Sequence, residues 1–254
     1  MGHPRPHSGA RHGAQSRGPG WRDREQCREY GGRTISHEPL SRREIAFVLG
    51  VPVAWAILLL FHPGGEGTDI YQDLDDKVTV FMVVHLGMLV FIPLFAIAVF
   101  LLLRGVEGTA AQVSRIALVF FVIFYGAFEI LQGIGVGTLV DELNGLPEIE
   151  EATREDLVQD FAENIWFRNL GVFGAIGGLG LLIAMIAAGV ALRGRAGAPL
   201  SVVILLSLSG ILIGAHPPPY GPSGLALFVI AVLLFLRGQS RAPAPGAHDQ
   251  VGSG

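Results

Sequence analysis

The stretch VTVFMVVHLGMLVFIPLFAIAVFLLL, residues 78–103, decides the fold class of this chain. It contains no Asp, Glu, Lys or Arg, and it is longer than the ~20 residues with which an α-helix crosses the hydrocarbon core of a bilayer. In lipid every backbone polar group must be paired within the protein, and a helix achieves this inside its own segment. The stretch therefore predicts a membrane-spanning helix.

Further apolar segments lie on both sides of this stretch, at residues 45–61, 113–140, 169–192, 200–215 and 223–236. The last two are short for a full crossing, and the turn HPPPYGP joins them. They are predicted to form a tight helical hairpin, in which one of the two helices either crosses the membrane fully or is only partly buried. Only 16% of the residues are charged, against about 25% in an average soluble domain. We therefore predict an all-α, polytopic bundle of six transmembrane helices.

The charged residues predict which ends of the helices face the cytoplasm. The loops 62–77 and 141–168 are acidic, whereas arginines flank the other ends of the segments. Because positively charged flanks stay in the cytoplasm, both termini are predicted to be cytoplasmic and the two acidic loops external. The arginines on which this prediction depends are Arg42, Arg43, Arg104, Arg115, Arg193, Arg195, Arg237 and Arg241.

Two polar tails enclose the apolar region. Residues 1–40 are rich in Gly, Arg, His and Ser and hold too few apolar side chains to pack. They are predicted to be a disordered cytoplasmic tail, as are residues 239–254. The transmembrane domain then covers residues 41–238. The single cysteine, Cys27, lies in the first tail, which excludes a disulfide within the chain.

The external loop 141–168 is long enough for a helix of its own. Leu157, Phe161 and Ile165 recur four residues apart and form one apolar stripe, which predicts an amphipathic helix on the outer surface. Within the spans, glycine pairs at GxxxG spacing predict close helix contacts. These pairs are Gly174 with Gly178 and Gly210 with Gly214.

Three polar side chains interrupt the third apolar segment, in the sequence FYGAFEILQGIG of residues 124–135. Tyr125, Glu129 and Gln132 are spaced four and three residues apart and therefore share one helix face. A carboxylate that faces lipid costs several kcal/mol. We therefore predict that this face looks into the bundle and that Glu129 has a partner there.

Depth in the membrane indicates which groups can reach Glu129. At about 1.5 Å of rise per residue, Glu129 lies roughly 15 Å and His85 roughly 12 Å from the outer ends of their segments. Arg168, which enters the fourth segment from the outside, is a second candidate partner. The predicted polar intramembrane cluster, in the outer half of the bundle, consists of Glu129, His85, Tyr125, Gln132 and Arg168.

Three interpretations of this cluster are open. The first is structural, with interhelical hydrogen bonds worth about 0.6–2 kcal/mol each. The second is a pathway or small-ligand site in which Glu129 and His85 exchange a proton or bind a cation. The third is a metal site, because Met82 and Met88 stand three residues either side of His85, and thioether with imidazole suits copper(I).

Other classes of function are less favoured. Haem needs axial ligands at matching depth on facing helices, and His62 and His216 lie close to the outer ends of their segments. The folded part shows no Ser/His/Asp, Cys/His or HExxH arrangement, so the sequence does not favour an enzyme. The expected partners are the lipid bilayer and a proton or small ligand, and not nucleic acid.

Three stretches resemble a family of small multi-pass bacterial membrane proteins of unknown function. They are HLGMLVFIPLFAIAVFLLLRG (85–105), VSRIALVFFVIFYGAFEILQGIGVGTLV (113–140) and AHPPPYGPSGLALFVIAVLL (215–234). The resemblance covers about residues 45–237. It implies a six-helix bundle in a bacterial cytoplasmic membrane, with Glu129 at a position that belongs to the sequence pattern of the family. It implies no mechanism. We expect an integral membrane protein that is structural or that acts on a small substrate or a proton, with metal or haem binding as the alternative.

Overall fold

The computed structural model describes residues 40–63, 69–215 and 217–239. Residues 1–39 and 240–254, which hold almost all of the two predicted tails and Cys27, lie outside these ranges, as does His216. Within the described ranges the regular secondary structure is helical, and no β-strand occurs. The predicted all-α fold class is therefore confirmed.

The described part of the chain forms eight helices, of which six coincide with the predicted apolar segments. Those six are α1, α3, α4, α6, α7 and α8, whereas α2 and α5 lie in the two acidic loops. The helices are α1 Arg42–Leu59, α2 Ile70–Leu74, α3 Val78–Leu102, α4 Thr109–Asn144, α5 Glu151–Phe167, α6 Gly171–Ala196, α7 Leu200–Gly214 and α8 Tyr220–Gln239.

Four helices of the described part are long and apolar enough to cross a membrane, namely α3, α4, α6 and α8. The helix α7 is apolar but has only 15 residues. The helix α1 has 18 residues and begins with the charged residues Arg42, Arg43 and Glu44, which shorten its apolar part. Four membrane-competent helices are thus established, and the number six stays a prediction.

The six apolar helices pack side by side into a closed ring. α3 packs against α1, α1 against α8, α8 against α7, α7 against α6, α6 against α4, and α4 closes the ring against α3. The contact between α3 and α4 is made mainly by the second half of α4. Large buried side chains fill the interior, among them Trp55, Phe95, Phe121 and Phe228. Apolar packing of these side chains therefore holds the ring together.

The outer surface of the ring is apolar as well. Ile57, Val90 and Leu179 are examples of aliphatic side chains that are more than half exposed on it. A water-soluble monomer rarely exposes a contiguous apolar patch of more than a few hundred Å², whereas lipid tails surround such side chains without penalty. The chain therefore has the surface of a membrane-embedded protein.

Of the arginines that were predicted to share one side, those in the described part of the chain lie at one end of the bundle, and Arg241 falls outside the described residues. Arg104, just after α3, pairs with Glu44 of α1, with Nη2 3.3 Å from Oε2. Arg115 of α4 donates to two carbonyl oxygens of the connection that follows α3, those of Leu103 and Val106, at 2.8 and 2.9 Å. Arg195 of α6 lies beside the turn before α4. Ser41 and Glu44 form a capping box that starts α1. This is the basic end of the bundle.

The two acidic loops form one cap at the opposite end. α2 and α5 pack against each other and against the last turns of α4. Tyr71 Oη donates to Asn144 Oδ1 at 2.7 Å, and Arg154 Nη1 donates to Tyr71 Oη at 3.2 Å. These three residues belong to α2, α4 and α5, so hydrogen bonds join all three helices of the cap.

The amphipathic helix that was predicted in loop 141–168 is α5, but its buried face differs from the predicted stripe. Val158, Ala162 and Ile165 are fully buried, whereas Leu157 is 47% exposed. α5 meets α2 and α4 with a face rotated by one residue from that stripe, so Ile165 is the one residue of the stripe that is fully buried. Phe161 is partly buried at the edge of that face.

The closest helix contacts are made by other glycines than the GxxxG spacing suggests. A Cβ at Gly174 would lie 2.9 Å from a ring carbon of α4, and one at Gly210 would lie 3.1 Å from a side chain of α6. Gly178 has nothing within 4 Å of its own Cβ position, whereas a Cβ at Gly214 of α7 would lie 4.0 Å from Gly178 Cα. The tightest approach of α6 to α4 is at Gly177, where a Cβ would lie 2.5 Å from the backbone nitrogen of Tyr125.

Candidate functional site

The helix α4 changes its winding around its polar residues. Phe121–Tyr125 and Ile130–Gly135 are π-helical, and the single α-helical turn Gly126–Glu129 separates them. π-Helical segments are rare and occur frequently at functional sites, because the extra residue in a turn redirects the side chains beside it. Neither segment was predictable from the sequence, since the residue types in them carry no recognisable signal for π-helical winding.

The centre of the site is the contact between α3 and α4 at His85 and Glu129. His85 Nε2 lies 3.6 Å from Glu129 Oε2, and both side chains are fully buried. This distance is within ion-pair range and longer than an ordinary hydrogen bond. The structure thus brings together the two residues whose depth and helix face predicted a contact.

The backbone of α3 determines the tautomer of His85. His85 Nδ1 lies 2.8 Å from the carbonyl oxygen of Phe81. A carbonyl oxygen only accepts hydrogen bonds, so Nδ1 carries a hydrogen, and in the neutral ring Nε2 presents a lone pair toward Glu129. A lone pair and a carboxylate oxygen repel each other unless a proton lies between them. A proton on either Nε2 or Oε2 removes this repulsion, so the pair is able to hold one proton.

Tyr125 and Gln132 extend the site along α4. The Tyr125 hydroxyl is within hydrogen-bonding reach of the Glu129 carboxyl and lies 3.2 Å from the carbonyl oxygen of Gly214 at the end of α7. Gln132 is buried on the same face of α4. These two side chains, with His85 and Glu129, form a polar cluster that connects α3, α4 and α7.

His62, which sequence analysis placed at the outer end of its segment, also belongs to this cluster. Its ring centroid lies 5.0 Å from that of His85, and the Phe81 ring contacts both imidazoles, at 5.7 and 4.2 Å between centroids. His62 Nδ1 donates to the carbonyl oxygen of Pro63 at 2.7 Å. Burial lowers the pKa of His62 below its ordinary value, although the hydrogen bond to Pro63 opposes this change.

Gly133 brings the backbone of α4 directly onto the His85 ring. A Cβ at this position would lie 2.1 Å from His85 Cγ, a distance at which the two groups overlap. Gly133 therefore packs against the imidazole in place of a side chain. This contact could not be predicted from residue spacing alone.

Arg168 lies outside the cluster. Its side chain is 52% exposed, with Nη2 3.1 Å from Glu163 Oε2 and 3.8 Å from Asp160 Oδ1. The prediction that Arg168 is an alternative partner of Glu129 is therefore wrong. The reason is electrostatic, because the carboxylates of α5 hold this guanidinium at the surface.

The residues of the metal hypothesis lie in different surroundings. Met82 packs against α4, where a Cβ at Gly137 would be 2.5 Å from Met82 Cγ, and Met88 is fully buried in the apolar core. Among residues 40–63, 69–215 and 217–239, no three His, Cys, Asp or Glu side chains are arranged to hold a metal ion. Copper or haem binding stays a prediction.

Comparison of the chain with protein-family models, with curated proteins and with solved structures finds no match. The polar cluster itself is therefore the basis for any statement about function.

Proposed function

We propose that this chain is a six-span protein of the bacterial cytoplasmic membrane that takes up and releases a proton at the His85–Glu129 pair. The observation that carries the proposal is the 3.6 Å contact between two fully buried ionisable side chains. Since His85 Nδ1–H is held by a backbone carbonyl, the pair needs one proton, and that proton can be exchanged. Coupling of the proton to the passage of a small substrate is the activity that such a site would serve.

Two observations support six spans. The helices α1 and α7 are short, yet both present half-exposed aliphatic side chains to the outside, including Val53 and Ile57 on α1 and Ile204 and Ile211 on α7. Each also lies in the ring between helices that are long enough to span. With six crossings the basic end faces the cytoplasm, and both termini lie there.

A purely structural role explains the pair less well. Interhelical hydrogen bonds in membranes are worth about 0.6–2 kcal/mol, whereas each buried ion carries a desolvation penalty of several kcal/mol. A hydroxyl or amide could join α3 and α4 without that penalty. Ionisable side chains at this depth therefore favour a role in which the proton moves.

The proposal is tested by labelling the purified protein with dicyclohexylcarbodiimide, which reacts with protonated carboxyl groups in apolar surroundings. Glu129 should be labelled, the extent of labelling should fall as the pH rises, and Glu129→Gln should abolish it. Glu142→Gln is the matched control, because Glu142 lies on the same helix but is exposed, and this variant should keep the label at Glu129. A Glu129 that stays unlabelled throughout the pH range over which the protein remains folded would contradict the proposal.

A further inference from the structure

We infer that the groove between α4 and α6 binds an acyl chain of an anionic phospholipid, whose phosphate lies at Arg193 and Arg195 on the basic end of the bundle. This inference goes beyond the proposed function and does not depend on proton exchange, because it rests on the outer surface of the ring alone.

The groove lies on the outer surface of the ring, where α4 and α6 pack side by side. Its volume is about 300 Å³, at the lower end of the range for ligand pockets. A Cβ at Gly180 would lie 3.1 Å from Ala117 O and 3.1 Å from Phe121 N, so the two helices approach closely here and leave a depression. The walls of this depression are apolar side chains, namely Val113, Ile116, Phe120, Ile176, Leu179 and Ile183.

The depth of the groove matches the hydrocarbon of the leaflet at the basic end. On α4 the groove extends from Val113 to Phe120, which is about 6 to 17 Å from the first residue, Thr109, at 1.5 Å of rise per residue. One leaflet contributes about half of the ~30 Å hydrocarbon core. An acyl chain can therefore lie in the groove while its headgroup stays level with the start of α4.

The α6 side of the groove leads to two arginines. Ile183, Ala187 and Gly194 are spaced four and seven residues apart and therefore share one face of α6. No atom of the described part of the chain lies within 4 Å of the Cβ position of Gly194. Arg193 and Arg195 stand on either side of this glycine, and both are exposed. A phosphate above the groove can thus meet a guanidinium group on each side.

These two arginines differ from others at the basic end in their partners. Arg104 pairs with Glu44, and Arg115 donates to two backbone carbonyl oxygens. Among the described residues, neither Arg193 nor Arg195 forms an ion pair. Guanidinium groups bind phosphate oxygens through charge-assisted hydrogen bonds. The charge at this end of the groove therefore favours an anionic headgroup.

The start of α4 adds to this positive charge. Arg195 Nη2 would lie 3.4 Å from a Cβ at Gly108, the residue before α4. No side chain in the described part of the chain caps this end of α4, so the N–H groups of its first turn attract an anion. Glu107 is exposed and precedes Gly108, but the two arginines outweigh its single negative charge.

A second apolar groove, between α1 and α8, provides a comparison. It has a similar volume of about 320 Å³. It extends to Leu60 and Pro222 at the cap end of these helices, and the cap consists of the two acidic loops. We therefore expect the second groove to hold lipid tails without a preference for an anionic headgroup.

The test titrates the full-length protein in a non-ionic detergent with phosphatidylglycerol or with phosphatidylcholine of the same acyl chains, and native mass spectrometry counts the bound lipids. The parent protein should hold one phosphatidylglycerol more tightly than phosphatidylcholine. Arg193→Gln should weaken the binding of phosphatidylglycerol about 5-fold, the effect of one cationic side chain at a membrane surface. Arg42→Gln removes another exposed arginine of the basic end and should bind phosphatidylglycerol as the parent does.

A second pair of variants tests the groove itself. Ile183→Trp fills the groove with a larger ring and should lose the tightly bound phosphatidylglycerol. Ile57→Trp makes the same change in the second groove and should keep it. Both isoleucines are at least 40% exposed on the outer surface, so the larger ring does not overpack the interior in either variant.

Three results would overturn the inference. The first is equal affinity of the parent protein for the two lipids, which needs no variant. The second is equal weakening in Arg193→Gln and Arg42→Gln, which would mean that the basic end attracts anionic lipid as a whole. The third is an Ile183→Trp variant that binds phosphatidylglycerol as tightly as the parent. None of these results bears on the proton at Glu129, so the proposed function is tested separately.

Discussion

Two acid–base pairs join helices of this protein, one at the basic end and one inside the bundle. Arg104 and Glu44 make contacts through both guanidinium amino groups, but their side chains are 37% and 21% exposed. His85 and Glu129 are fully buried and 3.6 Å apart. Water and salt screen the first pair, whereas an unshared charge in the second is costly. Arg104 and Glu44 have the better hydrogen-bond geometry, yet we expect them to contribute less to stability, because their pair is exposed to water.

The largest expected effect comes from separating the buried pair. Gly133→Ala places a methyl group 2.1 Å from His85 Cγ and should destabilise the protein by up to about 3 kcal/mol, as overpacking of a filled interior does. Gly126→Ala is the matched control on the same helix, since its Cβ position has nothing within 4 Å. Unfolding in detergent measures both, and equal stabilities would mean that α4 is not seated on the imidazole.

A double-mutant cycle measures the coupling inside the buried pair. His85→Ala, Glu129→Ala and the double variant should give an interaction energy of about 0.5–3 kcal/mol, the range found for residues in contact. Glu129→Gln should lower the free energy of unfolding by only about 1 kcal/mol, because the new amide can donate to His85 Nε2. Proton exchange should be lost in this variant. Strict additivity of the two alanine changes would remove the evidence for a pair.

The buried environment of His62 predicts a dependence of stability on pH. Because burial lowers its pKa below the ordinary value of 6.5, the unfolded chain binds a proton at a higher pH than the folded protein does. The stability should therefore decrease as the pH falls below that value. The difference in unfolding free energy between the parent and His62→Gln, followed against pH, isolates this contribution. A difference in unfolding free energy that does not vary with pH would mean that the His62 ring is solvated in the folded protein and not buried.

The smallest effect is expected at the exposed pair. A cycle of Arg104→Gln and Glu44→Gln should give a coupling of about 0.2–1 kcal/mol, as is usual for ion pairs that contact water. The coupling should shrink further as salt is added. A coupling energy equal to that of the buried pair and unchanged by salt would contradict the expectation that the exposed pair contributes less.

The sequence predicts the helices well because their signal is local. An apolar run such as 78–103 must be a helix in lipid, and α3 ends one residue before that run does. The contact of His85 with Glu129 was also predictable, because rise per residue sets depth and spacing sets the face. Both properties belong to single helices and need no knowledge of packing.

Features that depend on packing were not predictable. The stripe of Leu157, Phe161 and Ile165 is not the face that α5 buries, because the rotation of α5 about its axis is set by α2 and α4. Arg168 follows the nearby carboxylates of α5 rather than Glu129. The π-helical winding on both sides of Glu129 and the approach of His62 to His85 arise only when α1, α3 and α4 come together.

The central claim is that His85 and Glu129 share one exchangeable proton, and nitrogen NMR of histidine-labelled protein tests it most directly. For His85 we expect an Nδ1 that stays protonated at every pH. We also expect an Nε2 resonance whose chemical shift changes as the shared proton leaves, and no such change in Glu129→Gln. An unprotonated Nδ1 at His85, or an Nε2 resonance that moves identically in Glu129→Gln, would contradict the claim.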